Sequence, residues 1–188
     1  LAALLAGAAL AAASHPPPAA EGRRCDQVTG NLVGNCDFTT GIEGWNRQAA
    51  TALAHDHRGH AAPGALRMTN EPASEAGAAT CVPVKGGATY EISGWLQRLD
   101  GAGECLSFVE EHGTPDCSAG ATSFHELVST PLVSGGFQQV AGVAAVGSRT
   151  VAVRAGFACY GEQDDDVSGV LLDDVVLRRV TPAAGGGT

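Results

Sequence analysis

From residue 31 onward, apolar side chains recur in short runs punctuated by Gly, Ser and Pro, the pattern of β-strands joined by turns. The clearest alternation is ATYEISGWLQRL, residues 88–99. Side chains in a strand point alternately to opposite faces, so Tyr90, Ile92, Gly94 and Leu96 form one row, and Glu91, Ser93, Trp95 and Gln97 the other. The first row is expected to face a core. GVLLDDVVLRRV, residues 169–180, differs, because over residues 170–177 each of its rows is apolar apart from one carboxylate, Asp173 or Asp174. A strand apolar on both faces is expected at the centre of a sheet, covered on both sides. At least one of Asp173 and Asp174 must then sit where bare charge is costly, and needs backbone N–H groups, an arginine or a metal ion as partner.

Taken in order, NLVGNCDF (31–38) reads as a strand, and TTGIEGW as a Gly-punctuated turn delivering Trp45. TALAHDHRGHAAPG is a loop, ALRMTN a short strand, and ATCVPV a strand that Pro83 confines to an edge or a bulge, since proline cannot donate to the ladder. ECLSFVEEH, GFQQVAGVAAV and RTVAVRAGFACY follow as further strands. In the last of these Val151, Val153, Ala155 and Phe157 make the apolar row, with Arg154 and Tyr160 opposite; Phe38, Trp45 and Phe157 are expected in the core. Nothing larger than a helical turn, at residues 73–79, is expected. Eight or nine short strands with regular turn signals predict an all-β fold, an antiparallel β-sandwich of jelly-roll type.

The ends differ in character. Residues 1–14, LAALLAGAALAAAS, resemble the apolar core and cleavage zone of a secretory signal peptide, too short to span a bilayer comfortably. The run lacks a Met and a basic flank, so the sequence is expected to begin inside such a signal. Residues 15–28 read as a Pro- and Ala-rich linker, 29–180 as the single domain and 181–188 as a flexible tail. The chain is therefore expected to be secreted or extracellular, the cell surface included, without a membrane span. A formal net charge of −9, with basic residues scattered, disfavours a phosphate-binding surface, and nucleic acid with it.

Six cysteines in an exported chain predict three disulfides, although six allow fifteen pairings. The expected set joins Cys105 to Cys117, which flank a strand and turn, Cys25 to Cys36, and Cys81 to Cys159. The loop histidines His55, His57 and His60 lack the fixed helical face that gives metal motifs their specificity, and the acidic run Glu162, Asp164, Asp165 and Asp166 reads as solvated. No nucleophile elbow, phosphate loop or zinc-protease motif occurs, and one sandwich leaves no room for a separate catalytic domain.

The ordered set NLVGNCDFTTGIEGW, ALRMTN, CVPVKGGATYEISGWLQ, GFQQVAGVAAVGSRTVAVRAGF and VLLDDVVL resembles carbohydrate-binding modules of the CenC type, families 4 and 9, with a galactose-binding-like jelly roll. The resemblance covers most of residues 31–180. It implies non-catalytic glycan or polysaccharide binding, in proteins often associated with glycoside hydrolysis. It also implies a structural calcium between the end of the first strand and the Asp-Asp strand, with Asp37, Asp173 and Asp174 as candidate ligands. Here Thr39 stands where the family usually has a glutamate after the phenylalanine, which removes one anionic ligand from an ion that wants six to eight oxygens. Trp95 on the polar row, flanked by hydrogen-bonding groups, suits stacking on a sugar ring. If the polar rows of the two strands share a sheet face, Trp95, Gln97, Glu91, Arg154 and Tyr160 form one sugar-binding surface. The alternative is a structural or protein-interaction sandwich of the cell envelope without a sugar site. A small glycosidase is a third reading, since two carboxylates at the correct separation suffice.

Overall fold

The computed structural model describes residues 24–47, 50–54, 64–68, 76–99, 103–132, 135–161 and 169–181. The signal-like run, the His55–His57–His60 loop and the acidic run at 162–166 lie outside the described residues. Ten strands are present among those described: β1 (Trp45–Arg47), β2 (Ala50–Ala54), β3 (Ala65–Met68), β4 (Ala76–Pro83), β5 (Thr89–Arg98), β6 (Gly103–His112), β7 (Ser123–Pro131), β8 (Gln138–Ala145), β9 (Ala152–Gly161) and β10 (Val170–Val180). They form two five-stranded sheets, a front sheet in the order β1-β4-β9-β6-β7 and a back sheet in the order β2-β3-β10-β5-β8. Every strand pairing is antiparallel. This is the all-β sandwich that the alternating pattern predicts.

The core lies between the sheets. Ile92 and Leu96 from β5, Leu172 and Leu177 from β10, and Val153 and Phe157 from β9 are fully buried there. Phe38 and Trp45 join them, with ring centroids 5.1 Å apart. Gly94 belongs to the inward row because the Phe157 ring packs against its backbone; a Cβ there would lie 2.8 Å from that ring. β10 occupies the middle of the back sheet, and Asp173 and Asp174 are 0% and 4% exposed. Two residues of β10, Asp174 and Val175, oppose the single Gly94 between the pairs Asp173↔Trp95 and Val176↔Ser93, which makes a β-bulge. Asp174 takes the left-handed conformation there, with φ 45°. Aspartate tolerates that region better than most residues.

Several expectations are corrected. Residues 31–38 make turns rather than a strand, apart from one bridge between Asn31 and Arg178, because Asn35 and Phe38 adopt φ of 48° and 54°, which breaks an extended run. The chain already belongs to the fold before residue 29: Cys25–Gln27 is a 3₁₀ turn with Cys25 buried. The 73–79 segment contributes its residues from Ala76 onward to β4 rather than to a helical turn. Pro83 ends β4 beyond the reach of β1, so at that point the strand has a neighbour on one side alone.

The disulfides are Cys25–Cys36, Cys81–Cys117 and Cys105–Cys159. Cys105 and Cys159 oppose each other directly on β6 and β9, with Cα atoms 4.1 Å apart, so cross-strand register decides that pair. Cys117, in the turn after β6, is carried over β9 to Cys81 on β4. The expected pairs Cys105–Cys117 and Cys81–Cys159 are therefore replaced, because they followed proximity in sequence and not strand adjacency.

Candidate functional site

Alternation places two polar surfaces on the molecule, one outside each sheet. Outside the back sheet lie Glu91, Trp95 and Gln97 of β5, each half-buried, where Arg178 donates to Glu91 Oε2 from Nε at 3.1 Å and Nη2 at 2.9 Å. Outside the front sheet lie Arg154 and Tyr160 of β9. The anticipated five-residue surface is therefore split. Period two tells inward from outward, and here the two outward rows belong to opposite sides of the sandwich. Trp95, Gln97 and Glu91 are brought together; Arg154 and Tyr160 stand apart from them.

Arg154 and Tyr160 gain other neighbours. Strand register sets Phe124, Glu110 and Arg154 in one row across β7, β6 and β9, and Glu104 beside Tyr160 in another. Those rows lie six positions apart along β6, about 20 Å at the rise of an extended strand. Between them the floor is small and apolar: Ala79, Gly156 and Ala158, with Leu106 and Phe108, form an outer patch separate from the main core. Phe124 stacks on Phe108 at 5.7 Å between centroids. It remains 54% exposed, and Tyr160 41%. Arg154 Nη1 lies 3.4 Å from Glu110 Oε2, and Ser129 donates to Glu104 Oε2 at 2.6 Å. The Cys81–Cys117 link passes over this face at the Arg154 end, since Cys81 pairs with Arg154 in register. His112 is buried beneath that turn, its Nδ1 2.8 Å from the Ala119 carbonyl. The surface combines exposed aromatic rings with an arginine and carboxylates spaced along an apolar floor. Chemically it offers ring stacking and hydrogen bonds to hydroxyl groups.

Phe124 escapes the sequence because β7 is not legible as a strand, and Glu104 and Glu110, on the legible β6, escape because nothing in the sequence sets β6 beside β9. A register shift between Ser107 and Phe108 interrupts the pairing, and Leu127 and Val128, adjacent in sequence, both pack against the core. The one available signal is a phenylalanine beside polar neighbours in SFHE, and it carries little specificity.

A second polar cluster holds the far end of the sandwich. Glu111, facing inward from β6, accepts hydrogen bonds from the Gly147 N–H at 2.8 Å and from the Thr150 hydroxyl, and His125 Nε2 lies 2.6 Å from its other oxygen. Burial opposes ionisation of Glu111, but the donors Thr150, His125 and Gly147 outweigh it and hold the carboxyl below its ordinary range. This cluster fastens the β8–β9 turn to β6.

The residues anticipated for calcium are already engaged with protein donors. Asp37 accepts from the Arg24 guanidinium through one oxygen and from the Thr39 N–H and hydroxyl, at 3.3 and 3.0 Å, through the other. Asp174 Oδ1 accepts from the Cys25 N–H at 3.0 Å, and Asp173 Oδ1 from the Asp174 N–H at 2.7 Å. Among the described residues no group of three His, Cys, Asp or Glu side chains is gathered to hold a metal. This donor set does not fit a calcium cage of six to eight oxygens.

No protein-family model matches the chain, and no curated protein matches it either. Solved structures do. The CBM22-1 xylan-binding domain from Paenibacillus barcinonensis Xyn10C is similar at TM-score 0.58 and 15% identity, over 78% of this chain and 93% of that one. The shared fold is a β-sandwich of jelly-roll type. TmCBM61 in complex with β-1,4-galactotriose is similar at TM-score 0.57 and 15% identity, over 80% of this chain and 99% of that one. The CBM22-1-GH10 portion of Clostridium thermocellum endo-1,4-β-D-xylanase 10B, complexed with xylohexaose, matches at TM-score 0.60 and 13% identity over 85% of this chain. The chain spans 30% of that last structure. Identities this low establish architecture, and function must be argued from the site.

Proposed function

We propose that this chain is a non-catalytic glycan-binding module that uses the outer face of the front sheet. The observation that carries the reading is the pair of exposed aromatics, Phe124 and Tyr160, set at opposite ends of an apolar floor with Arg154, Glu110 and Glu104 beside them. Aromatic faces stack on the C–H faces of sugar rings, and flanking polar groups meet the hydroxyls. Among the described residues of β6, β7 and β9 on this face, Arg154 against three carboxylates (Glu104, Glu110 and Glu126) favours a neutral glycan over a polyanionic one. The xylan-binding and galactotriose-bound neighbours support the substrate class, as does the ordered resemblance to CenC-type modules. Three disulfides and no free cysteine support an extracellular, oxidising setting.

The test is binding of the oxidised protein to a panel of insoluble polysaccharides and soluble oligosaccharides, by pull-down and calorimetry. Saturable binding to a neutral glycan, without release of reducing ends, is the expected result. Absence of binding from the folded protein would move the assignment to a structural or protein-interaction sandwich, and hydrolysis abolished by one carboxylate substitution would make it a glycosidase.

A further inference from the structure

The elements that the resemblance assigns to a bound calcium are organised here by a side chain. Arg24 stands immediately before the 3₁₀ turn, and its guanidinium bonds to Asp37 and lies 3.4 Å, from Nε, from Asp26 Oδ1. Arg24 thereby ties the 3₁₀ turn, which carries Asp26, to the turn at residues 35–39, which carries Asp37, while the Cys25 N–H ties the same 3₁₀ turn to Asp174 in the bulge of β10. Thr39 adds two donors to Asp37, its N–H at 3.3 Å and its hydroxyl at 3.0 Å. The backbone is tied at the same place, by the Cys25–Cys36 disulfide, the Cys25 N–H on Asp174 and the Val175 N–H on the Cys36 carbonyl.

We propose that the Arg24 guanidinium serves as the built-in cation of this crossing, so that the domain is held together there without a divalent metal. Thr39 and Arg24 fit together in that account. Thr39 removes one negative charge from the turn and gives Asp37 two hydrogen bonds, while Arg24 supplies one positive charge that needs no ion from solution. A planar guanidinium with several donors can bridge carboxylates from different segments, which a bound ion would otherwise do. The disulfide at Cys25 keeps Arg24 in place, since its neighbour in sequence is fixed to Cys36 beside Asp37.

The experiment is thermal melting of the oxidised protein in chelator and in millimolar calcium, for the wild type, Arg24→Ala, Asp37→Asn and the double variant. A metal that binds the native state raises its melting temperature by mass action. The expected result is a wild-type melting temperature independent of calcium, a drop of a few degrees for Arg24→Ala, and a double variant that loses less than the sum of the single losses. A calcium-dependent rise in the wild type that Asp37→Asn removes would overturn the proposal. So would Arg24→Ala melting at the wild-type temperature, or additive losses in the cycle. If Arg24→Ala fails to fold, Arg24→Lys, which keeps the charge and loses the planar fork, takes its place in the cycle, and none of these outcomes depends on glycan binding.

Discussion

Replacing Glu111 by glutamine tests the packing logic of the far end of the sandwich in a way that can be worked from the contacts. The ionised carboxylate accepts from Gly147, Thr150 and His125 at once. Glutamine has the same shape but one acceptor oxygen, and its amide turns N–H groups toward donors, so at least one partner loses its bond. An unsatisfied buried donor costs ~1–3 kcal/mol, and bonds to a charged group lie at the upper end. A net loss of ~2 kcal/mol follows, which for a domain of this size lowers the melting temperature by ~4–8 °C. The pH dependence has a definite sign. The folded-state pKa of Glu111 is depressed, so its stabilisation is complete above the unfolded value near 4.5 and is lost as pH falls through the lower folded value. The gap between wild type and Glu111→Gln should therefore be full at pH 7 and close under acid, where protonated glutamate resembles glutamine. Melting curves by circular dichroism at pH 7 and at steps below pH 4.5 provide the assay. A gap under ~1 °C at pH 7, or one that persists unchanged in acid, would refute the reasoning.

Two further perturbations address the core and the cross-links. Gly94→Ala should destabilise by ~1–3 kcal/mol through overpacking, because the new Cβ meets the Phe157 ring at 2.8 Å and Leu172 Cδ1 at 3.2 Å; a chemical-denaturation midpoint equal to wild type would contradict the packing. Peptide mapping without reduction should recover Cys105–Cys159 and Cys81–Cys117 links. Joint replacement of Cys105 and Cys159 by alanine should cost ~2–5 kcal/mol, and recovery of a Cys105–Cys117 peptide would contradict the β6–β9 register.

What could be read from the sequence was local. The two rows of β5 fall as alternation requires, with Tyr90, Ile92 and Leu96 inside and Glu91, Trp95 and Gln97 outside. The doubly apolar pattern of β10 places it mid-sheet with both aspartates buried, and backbone N–H groups are among their partners. What escaped was long-range. Alternation distinguishes in from out but carries no information on which sheet a strand joins, so Trp95 and Tyr160 could not be assigned to opposite faces. Disulfide partners depend on the same strand order. The turns at 31–38 depend on two non-glycine residues in left-handed conformations, Asn35, which tolerates that region, and Phe38, whose local propensity opposes it. Phe124 and Glu110 meet Arg154 through register across three strands, and no spacing in the sequence encodes that meeting.

The central claim is that glycan binds outside the front sheet, and the measurement that tests it most directly compares the two faces in one assay. Affinity electrophoresis in gels containing the best-bound neutral polysaccharide would be run for wild type, Phe124→Ala, Tyr160→Ala and Trp95→Ala. Stacked aromatic contacts at a binding surface are often worth more than ~1 kcal/mol, so Phe124→Ala and Tyr160→Ala should each weaken retardation about fivefold or more. Trp95→Ala, on the opposite side of the sandwich, should leave it unchanged. Loss of binding in Trp95→Ala with Phe124→Ala and Tyr160→Ala unaffected would place the site outside the back sheet and contradict the account.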